Sequence, residues 1–142
     1  MNRYQYALNI QESEQGVFVE CPLLPEFHAA ADNIEELFEE ATDALETIFD
    51  MYVDEHKRIP DPVPAEPGQY VLPLSTLTAA KLALWNTMCD MRLSKADLAR
   101  RMGVNLQLVH RMVDFIHSSK IEQVERALLS LGKRLSVGLE AA

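Results

Sequence analysis

Ser94–Met112, SKADLARRMGVNLQLVHRM, is the stretch from which the organisation of this 142-residue chain is read. Leu98, Ala99 and Met102 fall on one face of a first helix, and Gly103 supplies a residue that accepts positive φ where the chain must turn sharply. Val104 fills the turn. Val109 and Met112, three apart, form the inward face of a second helix, and the small Ala99 lets that helix cross closely. Ser94 is placed to cap the first helix by accepting the amide of Asp97, whose carboxylate reaches back to the cap. The pattern is that of a helix-turn-helix.

Such a unit lays its second helix in the DNA major groove while its first helix crosses the backbone. Here the second helix presents Asn105, Gln107, His110 and Arg111 to base edges. Asn and Gln suit adenine and Arg suits guanine, whereas Lys95, Arg100 and Arg101 suit phosphate. Leu106 and Leu108 stand apolar at positions expected to be exposed. A helical hairpin inside a small bundle is the other reading of the same spacing.

Charge divides the chain. Residues 1–74 hold 3 Lys and Arg against 16 Asp and Glu, a net of −13, and residues 75–142 hold 10 against 6, a net of +4. An acidic half joined to a basic half points to two partners of opposite charge, although acidic surface also serves solubility. No apolar run approaches the ~18–20 residues that span a bilayer, and the N-terminus lacks a signal-peptide core, so the expected location is the cytoplasm. Cys21 and Cys89 lie far apart with no CxxC and no His at ligand spacing, which reads as two structural thiols and no metal site.

Ahead of the motif, Tyr4, Tyr6, Leu8 and Ile10 alternate with polar or small residues as in a half-buried strand. Glu12–Gly16 is a turn, and Val17–Cys21 a second strand paired as a hairpin. A third strand is expected near Glu26–Ala31. Ile34, Leu37, Phe38, Ala41, Leu45, Ile48, Phe49 and Tyr52 then mark one face of a long helix. Its opposite face carries Glu35, Glu36, Glu39, Glu40, Asp43, Glu46 and Asp50, like charges that repel by a few tenths of a kcal/mol per i,i+4 pair. A basic partner would relieve that repulsion; a plain solvated face is the competing reading. The connector 59–68, IPDPVPAEPG, has four prolines and cannot be helix or central strand. Tyr70–Leu74 is a further strand, returned to the sheet by a crossover expected to be right-handed. From Ser75 the chain is helical: Leu77, Ala80, Lys81, Leu84, Trp85 and Met88 mark a helix before the motif, and Ile121, Val124, Leu128 and Leu131 mark one after it.

The expected fold is therefore α+β: a β-β-β-α-β domain over residues 1–74, including the connector, and an all-α helix-turn-helix domain over 75–142. The hairpin and helix order of the first resembles that of the ribonuclease H fold, whose catalysis needs clustered carboxylates holding two metals. The first strand instead carries Gln5, Asn9 and Gln11, amides in place of carboxylates. His28, His56, His110 and His117 show no nucleophile or ligand pattern. The expectation is no catalysis, no metal and no cofactor; a degenerate nuclease is the reading that divalent-metal binding would favour.

Taken together, YQYALNI, VFVECPLLPEF, ALETIFDMYVDEHKRIPDP, YVLPLS, LSKADLARRMGV and GKRLS, in that order, make nearly the whole chain resemble HicB-type antitoxins of bacterial toxin–antitoxin pairs. The resemblance implies a catalytically inactive N-terminal domain that masks a small basic mRNA-cleaving HicA-type toxin. It also implies a C-terminal domain that dimerises, or assembles further, and represses its own operon. Toxin-facing residues do not follow from the motifs; Glu35, Glu36, Glu39, Glu40 and Asp43 are assigned on electrostatics. Leu106 and Leu108 depart from the polar recognition helix the family leads one to expect. The alternative is a stand-alone regulator whose N-terminal domain senses a small ligand through an apolar pocket.

Overall fold

The computed structural model describes residues 4–141. They divide into two compact units: the residues up to Ile48 with Pro60–Leu74, and Phe49–Ile59 with the residues from Ser75 on. No helix is long and apolar enough to cross a membrane among them.

The first unit holds β1 (Gln5–Ser13), β2 (Gly16–Cys21), β3 (Leu24–Ala31), most of α1 (Ile34–Asp54) and β4 (Tyr70–Pro73). The strands form one antiparallel sheet in the order β3-β2-β1-β4. Tyr6 and Leu8 are buried as their alternation predicts, with Val17, Val19 and Cys21 of β2; Ile10 is only half-buried, and Ala7 on the opposite face is also buried. β3 begins at Leu24, two residues ahead of the expected start, because Leu24 and Phe27 fill the core before the small residues Ala29–Ala31. Gly16 sits at φ 132° where a Cβ would stand 2.8 Å from the Ala31 carbonyl oxygen, so the β1–β2 turn needs glycine for the approach of β3.

One expectation is corrected. β4 does return beside β1, but it runs antiparallel to it, pairing Gln5 with Pro73 and Leu8 with Tyr70. The preference for right-handed crossovers concerns parallel strands and has no purchase here. Connector and β4 are tied to β1 by Tyr6, whose hydroxyl donates to the Pro60 carbonyl at 2.7 Å, and by Gln69, whose amide donates to Asn9 at 3.2 Å.

Helix α1 is capped by Asn33, whose side chain accepts the Glu36 N–H at 2.9 Å. Leu37, Ala41 and Leu45 are buried along the predicted face. Its last turns belong to the second unit, where the Phe49 ring packs on Phe115 at a centroid separation of 5.1 Å.

The second unit continues with α2 (Thr76–Asp90), α3 (Lys95–Met102), α4 (Leu106–Met112) and α5 (Ile121–Ser130). Ser75 caps α2 by accepting the Thr78 N–H. Thr78, Ala80, Lys81, Leu82, Leu84, Trp85, Asn86 and Met88 are all buried, so α2 is enclosed on more than the single face its spacing suggested. Asn86 clamps the connector by accepting the Ile59 N–H at 3.0 Å and donating to the Ile59 carbonyl at 2.9 Å. Trp85 Nε1 donates to the Lys57 carbonyl at 2.8 Å. Helix α5 starts at Ile121, with Val124, Ala127 and Leu128 buried. Gly132 at φ 77° lets Lys133 N–H bond back to the Leu128 carbonyl, closing the helix.

Candidate functional site

The α3–α4 pair is built as its sequence demands. Ser94 accepts the Asp97 N–H at 3.0 Å and donates its own N–H to the Asp97 carboxylate at 2.9 Å, a reciprocal capping box. The Ser94 backbone N–H first, then the Ser94 hydroxyl and the paired Arg100, hold the Asp97 carboxyl below its usual range. Gly103 takes the left-handed conformation, φ 68° and ψ 34°, that ends α3. Val104 N–H bonds to the Ala99 carbonyl across the turn. Leu98, Val109 and Met112 are fully buried between the two helices and their neighbours.

The outward side is mostly as expected. Arg100, Arg101, Gln107, His110 and Arg111 are exposed, and Lys95 is half-buried with its Nζ 3.4 Å from His110 Nδ1. Leu106 is 44% exposed, as its position implied, whereas Leu108 is half-buried. Asn105 is exposed, but its side-chain oxygen caps α4 by accepting the Leu108 N–H at 2.8 Å. Two-pronged pairing of Asn105 with a base would therefore forfeit that cap.

Lys81 is the residue whose role the sequence reading missed. It is 1% exposed, and its Nζ donates to the carbonyls of Arg111, Asp114 and His117 at 3.2, 2.6 and 2.5 Å. Three carbonyls at the end of α4 and in the following loop, each also accepting a backbone N–H, are thus gathered by one ammonium group. Ser119 adds a hydroxyl bond to the Arg111 carbonyl at 3.1 Å. Together they fix the segment that leaves α4. Its sequence signal was a lysine among apolar residues at helical spacing, which reads equally as a chain reaching for solvent.

The acidic set on α1 is divided by the structure. Glu35, Glu36, Glu39, Glu40 and Asp43 are exposed and contiguous over the first three turns. Glu46 and Asp50 are half-buried, so they leave that open face. Asp50 lies in the second unit and accepts the Phe115 N–H at 2.7 Å. Burial, and then the neighbouring Asp114 and Asp54 carboxylates, push its pKa up to about 6 against the opposing effect of that hydrogen bond. The Asp90 carboxyl lies below its usual range because it accepts from Arg58 at 2.7 Å. Burial raises the thiols of Cys21 and Cys89, which remain free. Among the described residues no three His, Cys, Asp or Glu side chains gather where they could hold a metal ion.

Residues 3–83 match the sequence pattern of the HicB-like antitoxins of bacterial toxin–antitoxin systems. The chain belongs to the HicB-like antitoxin family. It is 48% identical over 140 residues to the antitoxin HicB of Pseudomonas fluorescens (strain Pf0-1), covering 98% of this chain and 96% of that one. Antitoxin HicB 2 of Photorhabdus laumondii subsp. laumondii is 37% identical over 133 residues, 94% of each chain. Antitoxin HicB of Escherichia coli (strain K12) is 32% identical over 124 residues, 87% of this chain and 90% of that one. The family pattern ends within α2, while these relatives run on through α3 and α4. HicB-like antitoxins are not enzymes, and the amides at Gln5, Asn9 and Gln11 accord with that.

Proposed function

We propose that this HicB-like antitoxin binds and neutralises a small basic mRNA-cleaving toxin of the HicA type through its first unit. The observation that carries the reading is the open acidic face of α1: five carboxylates, Glu35, Glu36, Glu39, Glu40 and Asp43, stay in solvent on adjoining turns. Uncompensated like charge at that density is relieved when a cationic surface covers it. Reversing two of them in the double variant Glu36→Lys, Glu39→Lys reduces toxin affinity at least tenfold and flattens its dependence on salt. Titration calorimetry with the purified toxin checks this, and unchanged affinity removes the face from the interface.

The second unit then acts as a dimeric, cytoplasmic helix-turn-helix repressor of the antitoxin's own operon. The capped α3, the left-handed Gly103 and the exposed row Gln107, His110 and Arg111 support that reading, with Lys95, Arg100 and Arg101 toward phosphate and Asn105 at the helix start. Arg111→Ala costs ~1–3 kcal/mol of operator affinity where it reads a base. Equal losses on operator and random DNA, compared by fluorescence anisotropy, would make it a phosphate contact instead.

A further inference from the structure

The second unit contains a cavity of about 640 Å³ beside the start of α4, a size that accommodates a small organic molecule. Its floor is apolar, made by Trp85, Met88, Leu93, Ala96 and Leu106. Around that floor stand Arg58, Arg92 and Lys95, together with His56 and His110. No Asp or Glu is among the described residues that line it, in a chain whose net charge is −9. Arg58 is matched by Asp90 from outside the cavity. Arg92 has no ion-pair partner among the described residues, and Lys95 approaches only the imidazole of His110. Arg92 is also held at φ 55°, a conformation that a non-glycine side chain seldom adopts.

We propose that this cavity is a binding site for a small amphipathic anion, an aromatic or aliphatic body bearing one carboxylate, sulfonate or phosphate group. The body lies on Leu106, Leu93 and Ala96, the accessible part of that floor, above the buried Trp85 and Met88, which removes apolar surface from water. The anionic group meets Arg92 and Lys95, whose charges are otherwise uncompensated. Charge complementarity selects the ligand: a cation finds no carboxylate here, and a neutral body leaves the two charges unmatched. The site does not depend on DNA binding. If α3 and α4 do contact DNA, the ligand and DNA share Lys95 and His110, and occupancy of one disfavours the other.

Trp85 is the sole tryptophan and gives the site its own reporter. Full-length protein is titrated with 1-anilinonaphthalene-8-sulfonate while Trp85 emission and energy transfer to the dye are followed. The expected result is saturable quenching of Trp85 with one dye per chain. The uncharged isostere N-phenyl-1-naphthylamine should bind at least tenfold more weakly, and the double variant Arg92→Gln, Lys95→Gln should weaken the sulfonate by at least tenfold while leaving the neutral dye unaffected. Both side chains reach solvent, so circular dichroism should report an unchanged fold. Absence of binding, dye uptake without Trp85 quenching, or equal affinity of the double variant for the sulfonate would each overturn the proposal. Displacement of the dye by an acidic apolar peptide at lower concentration than by octanoate would also overturn it, assigning the groove to a peptide instead.

Discussion

At the scale of single residues, Asp50 and Lys81 depart furthest from their sequence appearance. Asp50 belongs by spacing to a row of solvated acids, yet its carboxylate caps the Phe115 amide and sits near Asp114 and Asp54. Its pKa rises from 3.8 to about 6, so the stability it confers is complete below pH 3.8 and is lost as the pH climbs through 6. At neutral pH the ionised group destabilises the fold, by ~1 kcal/mol once solvent screening of a half-buried carboxyl is allowed for. Asp50→Asn keeps an oxygen for the Phe115 N–H. It should therefore raise the urea midpoint at pH 7.5 while matching the wild type at acid pH; a parallel offset at every pH would contradict this account. Lys81 is the reverse case, a cation that the fold encloses. Lys81→Ala leaves three carbonyls without their shared donor and should cost ~3 kcal/mol in denaturant unfolding, whereas a loss under ~0.5 kcal/mol would place the group in solvent. Neither role was legible in the sequence. Each depends on the loop between α4 and α5, whose path no local periodicity encodes.

At the scale of elements, legibility followed how local the determining interactions are. The α3–α4 pair was readable because Ser94, Asp97 and Gly103 act within a few residues of their own backbone, and each does what its residue type requires. Replacing the cap, Ser94→Ala, should cost ~1 kcal/mol of stability, readable in thermal unfolding; no shift would mean Asp97 alone holds the first turn. The hairpin and α1 were readable for the same reason. The sense of β4 was not, since a four-residue strand after a proline-rich connector carries no signal of its direction. Helix α2 exposes a second limit. A one-face reading found its apolar stripe but missed the burial of Thr78, Leu82 and Asn86, because an enclosed helix is defined by what surrounds it. Asn105 shows a third: one side chain suited two roles, and the backbone of α4 claims its oxygen.

At the scale of the whole molecule, the division of charge organises the account. The acidic first unit has five carboxylates in the open on α1, and in the helical unit Lys95, Arg100, Arg101 and Arg111 stand on α3 and α4, with Arg58 and Arg92 at the cavity beside them. An antitoxin that holds a basic ribonuclease with one unit and reaches anionic partners with the other needs this separation, because a uniform charge would weaken one interaction or the other. Family membership was legible from the order of parts along nearly the entire chain. The cavity was not, because His56, Arg92 and His110 converge only after folding. The central claim is toxin binding. It is tested most directly by isolating the full-length protein from its native cells at low salt and identifying by mass spectrometry what accompanies it. The account predicts one small basic protein that salt releases and that cleaves mRNA once freed. A protein that emerges alone, with its DNA binding intact, would contradict it.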